Sequence, residues 1–211
     1  MRGLFTVLAW ISACAIAVAV VLYAFFMDVW RVPVDDPLLG ASLEPTLRAG
    51  DLVVFMRRST VTRGILLRCL DPDAPGRFVV ARSVARSGEH VEIRNEVVMV
   101  DSRRLGESHS CGEPLATVYD PRSSAAVSLS CQSESYGDLS FETLRSSDQP
   151  EPPTEATVGA SQWYLVSDNR HIHLDSRDYG TIDPGTCQHV VFRLTGDSSR
   201  GDRGRGFGLI W

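Results

Sequence analysis

Residues 167–180 read Ser167-Asp168-Asn169-Arg170-His171-Ile172-His173-Leu174-Asp175-Ser176-Arg177-Asp178-Tyr179-Gly180. This polar run contains three aspartates, two arginines and two histidines. The segments that flank it, 163–166 and 189–194, are rich in β-branched and aromatic residues and predict strands. So many ionisable side chains in one connection between strands predict a loop that carries function and is held rigid by ion pairs.

Other short apolar segments have the same strand-like composition and are separated by Gly, Pro and Asp. They are 51–56, 77–84, 90–93 and 97–101. Because few stretches beyond residue 30 show a helical period, the sequence predicts a mainly β domain over residues 29–211. Between about 105 and 160 the composition becomes rich in Ser, Glu and Pro, which predicts a loop-rich surface insertion with little to bury.

The N-terminus differs from the rest of the chain because no charged residue occurs between Gly3 and Met27. Such a run is long enough to cross a hydrocarbon core of about 30 Å as a helix. A cleavable signal peptide is the alternative, but its small residues should follow the apolar core, whereas here the A-x-A spacings lie within it. We therefore interpret residues 1–28 as a short stub and an uncleaved transmembrane anchor.

The charges around this segment predict its orientation. Arg2 precedes the span, and Asp28, Asp35 and Asp36 follow it, which favours a cytoplasmic N-terminus. We therefore expect a single-pass protein of the inner or plasma membrane, with its β domain in the periplasm or outside the cell. The net charge of −5 supplies no basic surface for a phosphate backbone, so nucleic acid is not expected as a partner.

The cysteines fit an oxidising compartment. Cys14 lies in the predicted span, while Cys69, Cys111, Cys131 and Cys187 are an even number in the β domain and predict disulfides. We favour a bond between Cys111 and Cys131, because they bracket a segment that reads as a hairpin. A zinc site is the alternative, but no C-x-x-C or paired-histidine spacing supports it, and no cofactor is expected.

Several of these segments together resemble a known family. Residues 167–180 resemble the last motif of type I signal peptidases, G-D-N-R-x-x-S-x-D-S-R-x-x-G, with Ser167 in place of the first Gly and His173 in place of the inner Ser. Residues 42–54, beginning Ser42-Leu43-Glu44-Pro45, are similar to the S-M-x-P-T-L-x-x-G-D segment. Residues 91–101 and 158–166 also resemble family segments in the same order. An unrelated β-protein with a chance S-x-x-P is the alternative, but several matches in the family's order are more specific than one motif.

This resemblance implies a signal-peptidase-like all-β catalytic domain behind one transmembrane helix. The activity it implies is that of a membrane-bound serine endopeptidase that removes signal peptides from exported precursor proteins. Its partners would be secretory precursors and the lipid membrane. The substrate would add as an extended strand between the segment before Ser42 and the strand at 78–84, with small pockets that select Ala-type residues.

The resemblance also assigns roles to residues. Ser42 is the nucleophile, and Gly40 and Ser42 lie at the oxyanion site. The family's general-base lysine falls on Ala81, counting back from Gly88-Glu89, and Arg82 matches the arginine beside it. All 21 basic residues of the chain are arginines, so the family's Ser-Lys pair cannot form. Arg82 cannot replace the lysine, since a guanidinium stays protonated.

Two hypotheses follow. In the first, His173 acts as the base of an active serine endopeptidase, because the inner Ser that it replaces lies beside the lysine in the family, and Asp175 or Asp168 orients it. In the second, the chain is a catalytically inactive homologue that binds precursors or assists a partner peptidase. Gly40 supports the second, since many members have a hydroxyl there that helps to bind the oxyanion.

The remaining charged residues of the motif predict support for the site rather than chemistry. They are Asp168, Arg170, Asp175, Ser176 and Arg177. We expect them to form a network under the site, with Arg82 paired to Asp168. His171 is expected to point to solvent. Processing of one dedicated substrate is a third, weaker hypothesis.

Overall fold

The structure is a computed structural model that describes residues 2–57, 59–111, 116–146, 151–195 and 206–210. It contains three α-helices and a 3-10 turn in these ranges: α1 (Arg2–Phe26), α2 (Pro37–Ser42), α3 (Ser176–Tyr179) and the turn Pro184–Thr186. Among the described residues, no helix has both the length and the apolar character needed to span a membrane. The anchor therefore stays a prediction from the sequence.

The strands of the described residues fall into a first and a second half of the chain. In the first half they are β1 (Met27–Arg31), β2 (Leu52–Met56), β3 (Leu66–Leu70), β4 (Phe78–Arg86), β5 (His90–Arg94), β6 (Val97–Val100), β7 (Arg103–Arg104) and β8 (Glu107–Ser110). In the second half they are β9 (Ala116–Asp120), β10 (Ala125–Tyr136), β11 (Leu139–Arg145), β12 (Thr154–Thr157), β13 (Trp163–Val166), β14 (Cys187–Thr195) and β15 (Gly208–Leu209). The predicted mainly β class is confirmed.

Three sheets are built from these strands. The first has the order β1-β2-β14-β3-β4-β13, with β15 paired to β14. The second contains β11-β10-β8 with β9 paired to β10, and the third has the order β12-β5-β6-β7. All of their strand pairs are antiparallel. The loop 167–175 lies between β13 and α3, so it leaves the edge of the first sheet.

Helix α2 is short, yet it lies between two hydrophobic clusters. Leu39 and Leu43 belong to the cluster that covers the first sheet, together with Val53 and Leu67. Ala41 belongs instead to the cluster of the second sheet. Because successive residues of a helix point in different directions, this six-residue segment is clamped from both sides. Its last residue, Ser42, is thereby fixed inside the domain.

The expectation of a loop-rich insertion over 105–160 is wrong for the described residues. Strands β8 to β12 occupy most of this region, and Leu129, Phe141 and Leu144 are buried in it. The Ser-rich composition misled because β10 alternates small polar residues with buried ones, which is a strand pattern. Residues 147–150, part of the Pro-rich stretch, lie outside the described residues.

The favoured disulfide, Cys111–Cys131, is present with a sulfur separation of 2.06 Å. It joins the residue that follows β8 to β10, and the turn between β9 and β10 lies between the two cysteines, as the sequence predicted. Cys69 is bonded to Cys187, and these residues face each other across β3 and β14. This bond links positions 118 residues apart in the sequence.

Strand β4 is paired on both sides along only part of its length. Strand β13 pairs with β4 from Arg82 to Arg86, and β3 pairs with it from Phe78 to Arg82. The amide of Ser83 donates to Ile65, and that of Asp71 donates to Arg77, so the odd-numbered residues of β4 bond to β3. In an antiparallel pair the residues between them face away, so the main-chain groups of Phe78 and Val80 point toward the unpaired edge of β4, the side on which no other described strand pairs with them.

Candidate active site

Ser42, the expected nucleophile, is the last residue of α2 and is fully buried. The helix begins where Asp36 accepts a hydrogen bond from the Leu39 amide, with a proline in its first turn, both of which are typical of a helix start. The Ser42 hydroxyl donates to the Leu39 carbonyl oxygen at 2.9 Å. This bond to the preceding turn is a common local arrangement of helical serines. The hydroxyl is therefore engaged by its own helix.

Asn169 holds the end of α2 in place. Its side-chain nitrogen donates to the Ala41 carbonyl at 3.0 Å, and its backbone amide donates to the Ser42 carbonyl at 3.1 Å. Its side-chain oxygen accepts from the amides of His171 and Ile172. The two bonds that Asn169 donates satisfy the carbonyls of Ala41 and Ser42, which the helix end leaves without a helical partner. Sequence reasoning missed this role, although Asn169 stands in the motif between two residues that were singled out.

Gly40, expected at the oxyanion site, is part of α2. Its amide donates to the Asp36 carbonyl at 3.0 Å, so that N–H is already in use. A Cβ built at this position would lie 3.0 Å from the Cβ of Ala49. A hydroxyl-bearing residue would therefore crowd Ala49, which gives a packing reason for glycine here. The geometry does not provide a free oxyanion donor at Gly40.

Ala81, at the lysine position, lies in the middle of β4 opposite Leu67 and is fully buried. It belongs to the main apolar cluster of the domain. A methyl group can neither accept nor donate a proton. Position 81, where the resemblance would place the family's base, therefore supplies no proton acceptor.

Arg82, the next residue, pairs with the polar loop. Its Nε donates to the Asp168 carboxylate at 2.7 Å, and both side chains are buried. Its guanidinium also donates to the Gly64 carbonyl at 2.8 Å and lies 3.8 Å from the centre of the Phe141 ring. Thr46 donates to the other oxygen of Asp168 at 2.5 Å. Asp168 thus joins β4 to the segment after Ser42, which is a structural role.

His173 does not form the pair with Ser42 that a general base requires, and this corrects the first hypothesis. One ring nitrogen, Nδ1, lies 2.7 Å from Asp178, and the other, Nε2, lies 3.1 Å from Glu151. Burial alone would lower the pKa of His173, but the hydrogen bonds to Asp178 and Glu151 outweigh it and raise the pKa to about 9. The ring is therefore a cation at neutral pH and has no free lone pair to accept a proton.

The neighbours of His173 explain why it turns this way. Arg122, from the turn between β9 and β10, donates to the His173 carbonyl at 2.9 Å and to Asp178 at 3.0 Å. Glu151 also contacts Arg177 at 3.2 Å. A cationic ring completes this alternation of charges, whereas a neutral ring would leave the carboxylates less well paired. Sequence reasoning did not find Glu151 and Arg122, because both lie outside the motif, 22 and 51 residues from His173.

Asp175 is a structural residue rather than the orienting group of a base. It is fully buried, caps α3, and accepts two bonds from the Arg177 guanidinium and one from the Ser167 amide. Burial raises the pKa of Asp175, but Arg177 and these hydrogen bonds outweigh it and hold the pKa well below its usual range. Ser176, also in the expected support set, accepts from the Leu165 amide at 2.9 Å. The loop is thereby fastened to β13.

Arg170 anchors the loop to the second sheet. It is fully buried and donates to Glu134 of β10 at 2.9 Å and to the Ser167 carbonyl at 2.9 Å. Glu134 also accepts from Arg145, Tyr136 and Thr143. Burial raises the pKa of Glu134, yet the two arginines outweigh it and lower the pKa to about 2. The expected charge network is thus present, and Glu134 is a member that sequence reasoning missed.

His171 differs from expectation, because its Nδ1 lies 2.9 Å from Glu96 and the residue is half-buried. The hydrogen bond to Glu96 raises the pKa of His171 against the opposing effect of burial. Glu96 lies between β5 and β6, so this bond links the loop to the third sheet.

The ligand atoms of His173, Asp175 and Asp178 lie within 4.8 Å of one another, which is close enough to hold a metal ion. Arg177 and Arg122 nevertheless neutralise the two aspartates. Hard cations and zinc bind deprotonated ligands, and arginines at this distance oppose a further positive charge. The donor set fits an ion-pair network better than a metal site.

A groove of about 440 Å³ runs beside α2. One wall is formed by residues 33–39 and the other by residues 76–78, with Trp30 at one end. It therefore lies between the segment that precedes Ser42 and the start of β4, next to the unpaired edge of Phe78. A groove next to free main-chain groups can accept an extended peptide, because such a peptide extends the sheet.

The fold is a β domain in which a short helix that ends at Ser42 is clamped between two hydrophobic clusters and is joined by Asn169 to a charged loop. The sequence profile of the family described as signal peptidase, peptidase S26, matches residues 7–190. The chain therefore belongs to the peptidase S26 signal peptidase family. No curated protein matches it.

Proposed function

We propose that this chain is a non-catalytic member of the signal peptidase family that binds extended segments of secretory precursors. The observation that carries the proposal is the state of Ser42: its hydroxyl is buried and donates to the Leu39 carbonyl. A serine hydroxyl becomes a nucleophile only when an adjacent base accepts its proton. A carbonyl oxygen that accepts this hydrogen bond cannot serve as that base.

The candidates for the base support the same conclusion. The chain has no lysine, and Ala81 is apolar. His173 is held between Asp178 and Glu151 with a raised pKa, and Arg82 is a guanidinium bonded to Asp168. Removal of the base alone lowers the rate of a serine hydrolase by orders of magnitude.

The binding part of the proposal rests on the edge of β4. The main-chain groups of Phe78 and Val80 face the side that β13 leaves unpaired. An extended segment can hydrogen-bond to this edge while its side chains enter the neighbouring groove, and such recognition depends little on sequence. Signal peptides processed by this family are the expected class of ligand.

We also propose a membrane location for the chain. The uncharged run from Gly3 to Met27 forms most of α1, and large apolar side chains such as Phe5, Trp10 and Phe25 are exposed on it. Exposed side chains of this kind favour a lipid environment. The two disulfides support a β domain in the periplasm or outside the cell.

A serine endopeptidase with Ser42 as nucleophile is the second candidate function. The observation in its favour is that Ser42 stands at the position that the resemblance gives to the nucleophile, in the same helix as Leu39, which lines a groove that can accept a peptide. It requires α2 to unwind, so that the hydroxyl leaves Leu39 and meets a base.

The test uses the full-length chain in detergent with a precursor that carries an A-x-A cleavage site. Binding is measured by fluorescence anisotropy of a labelled peptide, and cleavage by mass spectrometry between pH 5 and about 9, the range in which a histidine base would act. The expected result is binding without cleavage. Cleavage that the Ser42→Ala variant loses would overturn the proposal in favour of the peptidase.

A matched pair of variants tests the binding edge. Phe78→Pro removes the N–H that faces the unpaired edge, while Phe78→Ala removes the same ring but keeps the N–H. Proline is tolerated at the first residue of a strand, so the fold should survive. We expect Phe78→Pro to weaken binding well beyond Phe78→Ala. Equal affinities for the two variants would argue against strand addition at this edge.

A further inference from the structure

Arg68 of β3 is a buried cation with an unusual environment. Its exposed fraction is only 8 %. The centre of its guanidinium lies 3.9 Å from the Phe55 ring, 4.1 Å from the Phe78 ring and 5.3 Å from the Trp30 ring. Contacts of a guanidinium with aromatic faces are favourable, but they do not replace the hydrogen bonds that the group makes in water.

Within the described residues, no carboxylate forms an ion pair with Arg68. Its terminal nitrogen donates to the amide oxygen of Gln188 at 2.5 Å, and its buried Nε has no hydrogen-bond partner among the same described residues. Burial lowers the pKa of Arg68 to about 10, although the charge of Asp28 raises it in part. Asp28 itself is half-exposed and contacts Arg57 at 3.4 Å. A buried charge with so few partners is costly, and an anion supplied from outside would reduce that cost.

The groove beside α2 shares two aromatic rings with the surroundings of this cation. Trp30 and Phe78 line the groove, and both rings contact the Arg68 guanidinium. The other charges of the groove lie at its walls: Asp36 pairs with Arg77 at 3.1 Å, and Asp35 is exposed to solvent. Water screens exposed charges, whereas a buried charge such as that of Arg68 is screened much less.

We propose that Arg68 makes the groove selective for extended segments that place a carboxylate side chain over the rings of Trp30 and Phe78. This inference rests on the proposed function and adds the chemical class of the ligand. The carboxylate would approach the guanidinium between the rings and form a charge-assisted hydrogen bond in a water-poor site. A lipid phosphate could supply the same negative charge. The groove favours a peptide, because it leads to the main-chain groups of Phe78 at the unpaired edge of β4.

The experiment compares pairs of extended peptides that differ only by Glu or Gln at one position, with that position moved along the peptide. Affinities for the full-length chain are measured by anisotropy. At one position the Glu peptide should bind about tenfold more tightly than the Gln peptide, the effect of one desolvated hydrogen bond to a charged group. In Arg68→Met, which keeps an apolar side chain among the rings, this ratio should fall to about one.

Arg104→Met is the matched control. Arg104 is exposed on β7 of the third sheet, so its variant loses the same charge away from the groove and should keep the Glu/Gln ratio of the unmodified chain. If no peptide binds at all, the proposed function fails. If peptides bind with a ratio of one at every position, the selectivity is refuted while the proposed function stands.

Two further measurements separate selectivity for a peptide carboxylate from a folding defect and from lipid binding. Should Arg68→Met unfold, the unmodified chain is tested at about 0.5 M salt, because an enclosed pair keeps its selectivity while surface charges are screened. Loss of the Glu/Gln ratio in salt would overturn the inference. Vesicles of phosphatidylglycerol test the lipid source. If Arg68→Met loses vesicle binding but keeps the Glu/Gln ratio of the peptides, Arg68 binds a lipid headgroup, and the proposed selectivity for a peptide carboxylate is refuted.

Discussion

His173 shows how strongly one side chain depends on its surroundings. An isolated imidazole titrates near neutral pH and is a competent base. Here Asp178 and Glu151 occupy both ring nitrogens and keep the ring protonated. His173 therefore forms ion pairs and does not act as a base, and Ala81, where the resemblance would place a lysine, has no proton acceptor to offer.

This arrangement predicts a pH-dependent stability. The folded-state pKa of His173 is raised above its unfolded value. The contribution of His173 to the free energy of unfolding is therefore fully present below about pH 6.5 and is lost as the pH rises through about 9. Thermal unfolding of the unmodified chain and of His173→Gln should differ most at pH 6, by up to about 3 kcal/mol, and converge near pH 10. His171→Gln should show a pH dependence of the same sign, since Glu96 also raises the pKa of His171. A difference that grows with pH would contradict this role.

Helix α2 is the element that keeps Ser42 enclosed. It is too short to be stable by itself, so its conformation depends on the clusters that clamp it and on Asn169. The two bonds from Asn169 fix the carbonyls of Ala41 and Ser42. Loss of α2 is the step that an active peptidase would need.

The Asn169→Ala variant should therefore loosen α2. It removes the bond to the Ala41 carbonyl and the two bonds that Asn169 accepts, which should destabilise this region by about 1–3 kcal/mol. Hydrogen exchange followed by mass spectrometry should show faster exchange of the amides of residues 40–43. Ser135→Ala, a change in the second sheet away from α2, should leave this exchange unchanged. Unaltered exchange in Asn169→Ala would mean that the clusters alone hold the helix.

The whole domain is tied by two disulfides of different reach. Cys69–Cys187 links strands that are 118 residues apart, whereas Cys111–Cys131 closes a segment of 20 residues. A longer loop loses more entropy in the unfolded chain when it is closed, about 5 kcal/mol for the first bond against about 3 kcal/mol for the second.

Removal of Cys69–Cys187, the disulfide that closes the longer segment, should therefore lower the free energy of unfolding more. The double variant Cys69→Ala/Cys187→Ala is expected to unfold at a lower temperature than Cys111→Ala/Cys131→Ala, with each compared with the unmodified chain in a calorimeter. The two double variants are matched controls for each other, since each removes one bond and two sulfurs. The reverse order would show that local packing around the Cys111–Cys131 hairpin matters more than chain entropy.

The order of residues along the chain was sufficient for six of the strands (β2, β4, β5, β6, β13 and β14), the mainly β class, the Cys111–Cys131 bond and the family, because each depends on local pattern or on short motifs. It was also sufficient to exclude a Ser-Lys pair, since the chain has no lysine. The direction of the His173 ring, the enclosure of Ser42 and the buried cation of Arg68 could not be read in this way. Each depends on partners such as Glu151 and Trp30, and only folding brings side chains so distant in sequence within hydrogen-bonding or ring-contact distance.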